Sequence, residues 1–435
     1  MNIKSFLEKA THLYLFLMII LFLLSFGKNG YYDIFDYKKM LFLILNFSYI
    51  ILCTLLCICY CVKNRKNPYE LVKIKFNIPC FFVCLYGAIS LLSAFLSNHF
   101  PKTILGVSRF EGALTQLIYC TVFLLVYLFA GDAKKLFFPF CFSVTFFDII
   151  CVLQLLGKNP FGLFPEGMNY YDKGVKFTSS FIGTVGNANL SGAFLSLAVP
   201  ILFMCLFSTE LKHRTAALPP LLLSLIVVAN MSVSACILAL FLTFPLCLSV
   251  ILSFYGKKLK FYFLSLLLIG IIFIVIVYYV SFDYNFLKEM HHILHGEIDS
   301  SFGSGRIHIW KQVLSSMSFK DFVLGKGPDT MLLDGFEPFA RFYPEAGRWV
   351  TRSVDAAHNE YLNILYHQGI FALISYVSAL LIVLMNGFKT KSREKKTLAL
   401  GVFSYAMSAF FGISMCPTAP FLWITLALVN SKNET

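Results

Sequence analysis

Charge is scarce in this chain. Only 14% of its 435 residues are Asp, Glu, Lys or Arg, and 58% are hydrophobic. Soluble domains carry about 25% charged and about 45–50% apolar residues, so this balance excludes a soluble enzyme. Cysteine is present, thirteen times, but mostly inside apolar runs and without the paired spacing of a disulfide framework or zinc site. No internal repeat and no low-complexity segment is visible. A small-x-small cleavage site is missing after the first apolar stretch, Leu13 to Phe26, so that stretch reads as an uncleaved first span.

What the chain has instead is apolar runs about as long as a bilayer is thick, each needing about 20 residues to cross. Twelve are expected, beginning near Thr11, Met40, Asn77, Ala113, Leu136, Leu190, Ala217, Ser234, Phe261, Tyr361, Thr397 and Ala419. The seventh and the last are short, which sets the expectation at ten to twelve. The fold class is therefore all-α: a polytopic integral membrane protein of about twelve transmembrane helices with one large extracytoplasmic loop. Residues 1–280 hold the first nine spans, 281–357 the loop and 358–435 the last three.

The formal charge of +13 reads as topology. All 36 Lys and Arg are expected outside the spans. Clusters at Lys63 to Lys75, at Lys257, Lys258 and Lys260, and at Lys389 to Lys396 separate alternate spans, the spacing of cytoplasmic loops under the positive-inside rule. With both termini cytoplasmic, the inner segments hold 20 Lys/Arg against 6 Asp/Glu, and the remaining 16 basic residues face 17 acidic ones. The basic excess gives no evidence of a nucleic-acid partner.

Two outward loops interrupt the spans, one from Lys158 to about Asn187 and one from Ser281 to Ala357. Long structureless loops are uncommon and usually functional. In the second, Ser304 can cap a helix with Ile307, Trp310, Leu314 and Met317 along one face. Leu324-Gly325-Lys326-Gly327-Pro328 reads as a turn. A second helix is expected from near Asp355 into the tenth span.

The residues able to carry chemistry gather at that outward face. Arg306, in the first turn of the loop helix, can hold a diphosphate beside free backbone N–H groups, or stand solvated. His358, at the start of the next helix, is a candidate base, because a helix N-terminus disfavours its charged form. Asp355 and Glu360 would push its pKa the other way, and a helix-start histidine bonded to backbone is the plain alternative. Arg109 stands at the mouth of the fourth span, where pairing with Glu111 is the plain reading. Arg348 and Arg352 add positive charge ahead of His358. Asn187 and Asn189, at the entry to the sixth span, can bond a sugar or simply the backbone. Asp148, midway along the fifth span, is either a functional intramembrane carboxylate or a protonated group bonded to a neighbouring helix. His291, His292 and His295 lack a spaced carboxylate or cysteine to complete a metal site, so no metal is expected.

Taken together, Arg109-Phe110-Glu111-Gly112, Gly183 to Asn189, Gly305-Arg306 with Trp310, and His358-Asn359 with Leu362-Asn363 and Gly369 occur in an order that resembles the O-antigen ligase and polymerase superfamily of bacterial membrane glycosyltransferases. The resemblance runs over nearly the whole chain. It implies a metal- and cofactor-independent enzyme that takes a glycan from a polyprenyl-diphosphate carrier and joins it to a glycan, a lipid-linked sugar or a protein. It implies Arg306 on the diphosphate and His358 activating the acceptor hydroxyl. Arg109, Glu111, Asn187, Asn189, Arg348, Arg352 and Asn359 would line the substrate. One position departs: Val233 stands where many relatives carry an arginine. A transporter or flippase of lipid-linked oligosaccharide is the alternative of another class, but the absence of repeats and the near-absence of charge within the spans disfavour it.

Overall fold

The computed structural model describes residues 3–64, 77–163, 171–172, 175–176, 183–231, 233–254, 259–282, 285–299, 302–343 and 348–431. In hydrocarbon every backbone polar group must be satisfied internally, and the apolar runs answer as helices. They are α1 (Ile3–Leu17, continued by a π turn, Met18–Phe22), α2 (Ile34–Asn64), α3 (Ile78–Leu96), α4 (Ala113–Phe129), α5 (Phe137–Leu155), α6 (Ala188–Cys205), α7 (Leu211–Asn230), α8 (Ser234–Phe254) and α9 (Leu259–Tyr279). After the loop come α14 (Ile370–Lys389), α15 (Arg393–Ser408) and α16 (Ala419–Asn430). Eight helices among the described residues are long and apolar enough to cross a membrane, and three shorter apolar ones accompany them. The chain is a multi-pass membrane protein.

The stretch between α9 and α14 is folded. It holds α10 (Asn285–Leu294), α11 (Phe302–Ser315), α12 (Phe319–Leu324) and α13 (Glu360–Gln368). Between α12 and α13 lies an antiparallel hairpin of β3 (Phe339–Tyr343) and β4 (Arg348–Arg352), with Phe339 opposite Arg352 and Tyr343 opposite Arg348. A smaller ladder joins β1 (Tyr171–Asp172) to β2 (Val175–Lys176). Ile309, Val313, Met331, Val354, Ala357 and Tyr366 form a core for the cap, separate from that of the bundle.

Inside the bundle, α6 and α16 are buried along most of their length. Trp423 of α16 is the aromatic centre, with ring centroids 6.0 Å from Tyr119 on α4 and 5.9 Å from both Tyr86 on α3 and Tyr376 on α14. Each such pair contributes about 0.5–1.5 kcal/mol beyond its buried area.

Three expectations change. First, Lys38 does not lie outside the spans: it sits in the second turn of α2, fully buried. It serves the broken end of α1, donating to the carbonyls of Phe22 and Leu23, the latter at 2.9 Å. Thr184 Oγ1 donates to the same Leu23 oxygen at 2.7 Å. Unwound backbone at this depth needs such partners. Second, Ser304 lies inside α11 rather than at its cap. Third, no helix runs from Asp355 into the tenth span. Asn359 caps α13, accepting from Leu362 N at 3.0 Å, and α13 stops at Gly369, where α14 begins.

Gly369 makes that break with φ +83° and ψ 176°, a conformation essentially confined to glycine. A Cβ there would lie 2.2 Å from the carbonyl oxygen of Val323 in α12. Gly369→Ala should therefore cost about 2–3 kcal/mol. Thermal unfolding of the purified variant in detergent should show a drop of several degrees; an unchanged midpoint would mean that the joint tolerates a side chain.

Candidate functional site

The loop entering α4 is held by a residue from the far side of the sequence. Asp329 follows the Gly325-Lys326-Gly327-Pro328 turn and is only 4% exposed. Its carboxylate accepts from Ser108 Oγ at 2.8 Å, Ser108 N at 3.1 Å and Arg109 N at 2.9 Å. The loop fits tightly: Gly106 has φ +86°, and a Cβ on it would meet Asp329 Oδ2 at 2.4 Å. Phe110 and Asp329 themselves adopt left-handed backbones, φ 59° and 56°. The Lys39 ammonium stands 3.6 Å from the centre of the Phe110 ring, a cation–π contact.

The turn is fixed from its other side by α13. Lys326 N donates to Tyr366 O at 2.9 Å and Gly327 N to His367 O at 2.8 Å. The His367 ring returns a bond from Nδ1 to Gly327 O at 2.9 Å, and burial lowers the pKa of that imidazole, with Asp329 opposing. Tyr366 OH donates to Asp334 at 2.7 Å, and His99 Nε2 meets the other oxygen of that carboxylate at 3.1 Å.

So fixed, Arg109 reaches residue 355. Its Nη2 bonds Asp355 Oδ1 at 2.8 Å and its Nη1 lies 3.2 Å from Met415 Sδ. The expected pairing of Arg109 with Glu111 is not what the structure shows. Glu111 turns inward, accepting from Tyr119 OH and Gln116 Nε2, each at 2.9 Å. Glu360 does the same with Tyr376 OH. Burial pushes the Glu111 carboxyl well above its ordinary range, the neighbouring Asp329 adds to that, and the Tyr119 and Gln116 bonds work against it. Burial likewise raises Glu360 to about 7, opposed by the Tyr376 hydroxyl. Arg109, Glu111, Asp329, Asp355, Glu360 and His367 border one cavity of about 40 Å³, with Tyr86 and Trp423 deeper in its wall. That is space for a few waters at most.

Residues 354–359 are where these parts meet. Val354, Ala356 and Ala357 are buried. Ala357 O accepts from Trp310 Nε1 at 2.8 Å, and Ala357 N donates to Asn363 Oδ1 at 3.2 Å. Trp310 lies one helical turn beyond Arg306 on α11, so that bond fastens the Arg306 helix to the segment that Arg109 grips through Asp355. His358 is next in line. It lies ahead of α13, not in its first turn, with φ +49°. A left-handed backbone at a non-glycine residue is uncommon, and such strain gathers at functional sites.

The remaining candidates stand elsewhere or have structural tasks. Arg306 Nη1 donates to Gly303 O at 2.7 Å, at the distorted start of its own helix. Asn359 is the α13 cap. Asn187 caps α6, accepting from Asn189 N at 2.7 Å, and neither borders the cavity. Arg348 and Arg352 begin and end β4; their side chains lie outside what is described. Val233 is buried against Gly192 of α6. Asp148 accepts from Ser224 Oγ of α7 at 2.5 Å, the helix-to-helix bond of its plainer reading. His292 Nδ1 faces Glu297 at 2.6 Å and His295 Nδ1 the carbonyl of His291 at 2.8 Å. Asp329 and Trp310's bond were missed as site features. The Gly-x-Gly-Pro run ahead of Asp329 was the available signal for the first; the second depends on a contact between residues 47 positions apart.

Two measurements test this geometry. Asp329→Ala leaves the 108–109 donors without their acceptor, at about 1–3 kcal/mol for each buried group left unpaired, so its unfolding midpoint should fall; a wild-type midpoint would remove Asp329 as the clamp. For Glu360 the folded pKa is raised from 4.5 to about 7. Its contribution is then fully present below pH 4.5 and is lost as pH rises through 7. That loss is roughly 3 kcal/mol. Glu360→Gln, still able to accept from Tyr376, should flatten the stability profile across this window; an unchanged slope would assign the dependence to another group.

Residues 218–377 match the family model described as O-Antigen ligase, a stretch that runs from α7 into α14 and includes Arg306, the hairpin and His358. No curated protein matches the chain. The chain is thus a multi-pass membrane protein in which residues 218–377 are similar to the O-antigen ligase family.

Proposed function

We propose that the protein is a membrane glycosyltransferase that moves an oligosaccharide from a polyprenyl-diphosphate carrier to the hydroxyl of a glycan, a lipid-linked sugar or a protein. The observation that carries this reading is the convergence on residues 354–359. Arg109 reaches the segment through Asp355, the Arg306 helix through Trp310, and His358 stands on it in a left-handed conformation. The basic residues between alternate spans support an orientation with both termini cytoplasmic and this cap on the outer face.

A diphosphate is already a good leaving group, so two kinds of help suffice. Fixed cations stabilise the charge that grows on the departing oxygens; preorganised donors typically contribute about 10²–10³ in rate each. A placed base takes the proton of the attacking hydroxyl and contributes about 10²–10⁴. Arg109 and Arg306 fill the first role and His358 the second. The reading involves no metal, because the two arginines supply the electrophilic assistance a Lewis acid would otherwise give.

The experiment is complementation of a knockout with variants, reading surface glycan and carrier-linked oligosaccharide. His358→Ala should express and insert normally yet restore no transfer. Arg306→Lys keeps the charge but loses the bidentate fork, and should impair transfer at least tenfold. Normal product from both would remove these residues from the reaction. In the null strain, single repeats on the carrier identify a polymerase, and full-length chains stranded there identify a ligase.

A further inference from the structure

Arg109 is incompletely used. A guanidinium offers five N–H donors in a fork suited to two acceptor oxygens. Among the described residues, one terminal nitrogen meets a single carboxylate oxygen of Asp355 and the other meets only the Met415 sulfur, a weak acceptor. Nε is buried and has no hydrogen-bond partner among the described residues. The backbone beneath it cannot yield, because Asp329 holds Ser108 and Arg109. Glu111, two residues on, is committed to Tyr119 and Gln116. The pair is partly open to solvent, with 18% of the Arg109 and 32% of the Asp355 side chain exposed.

From this we infer that Asp355 is a positioning residue that occupies the donor's place on Arg109: the incoming diphosphate displaces its carboxylate, and the displacement releases the segment bearing His358. The inference rests on the glycosyltransferase reading and adds an order of events to it. At rest, the Asp355 ion pair and the Trp310–Ala357 bond hold residues 355–357 from two sides. A diphosphate carries more negative charge than one carboxylate and presents several oxygens to the fork, so it wins the guanidinium. A partly exposed ion pair is weak enough to be exchanged in this way. Once Asp355 lets go, the segment keeps its Trp310 and Asn363 bonds but loses its tie to the loop entering α4, and His358, three residues along, can shift toward the acceptor. The base is thus freed only after the donor is seated, which keeps water from being activated against an unprotected site.

Kinetics of the purified full-length protein test this. Asp355→Asn removes the competing charge, and the donor KM should fall about three- to tenfold, with kcat/KM rising accordingly. Asp355→Glu retains the carboxylate and should stay near wild type. A permanent structural role for the ion pair predicts the reverse, a raised KM and a lowered kcat/KM for Asp355→Asn, and that result would overturn the inference. Arg109→Ala separates the inference from the reading beneath it. If Arg109→Ala raises the donor KM while Asp355→Asn does not lower it, displacement fails and the diphosphate site stands. If Arg109→Ala leaves KM unchanged, both fall. Hydrogen–deuterium exchange on the wild type covers the case of an unfolded variant. Inorganic pyrophosphate should speed exchange over residues 354–359, and slower or unchanged exchange would contradict displacement.

Discussion

One buried carboxylate ties the candidate site of this molecule together. Asp329 bridges the loop entering α4 and the turn that α13 holds, two parts of the chain about 220 residues apart. Burying a carboxylate is costly unless its oxygens are bonded, and here three donors meet them. The left-handed backbones of Phe110 and Asp329, and the glycine at 106, are the local strain accepted for that closeness. Through this clamp Arg109 is aimed across to Asp355, and the cap is locked to the bundle.

Much of the fold was legible because lipid leaves little choice. A run of about 20 apolar residues must be a helix, and each of the twelve expected runs contains one. The misreadings come where composition is silent about geometry. Residues 361–389 read as one apolar run, yet Gly369 divides it with a backbone that only glycine adopts readily. Lys38 looked like a residue outside the membrane; its task, serving two open carbonyls at the end of α1, is set by a helix break sixteen residues earlier.

The site was legible in type more than in pairing. Arg109 and Glu111 are near neighbours in sequence, and proximity suggested an ion pair. In the folded chain they diverge, one to Asp355 at a separation of 246 residues, the other into the bundle. Asn187 and Asn359 carry the side chains expected at a sugar site and are spent on helix caps, the commoner use of asparagine. His358 was expected in the first turn of a helix, a position that it does not occupy; its distinction is a left-handed backbone just ahead of a cap.

These features join in one account: a rigid clamp holds a partly used guanidinium over a small polar cavity, and a tethered segment carries His358, the proposed base. Its central claim is that the site makes a glycosidic bond. The most direct measurement is the fate of a polyprenyl-diphosphate oligosaccharide incubated with the purified protein and an acceptor in proteoliposomes. The account predicts release of free polyprenyl diphosphate in step with appearance of glycosylated acceptor. Movement of intact donor between leaflets with no new bond formed would contradict it and make the protein a transporter.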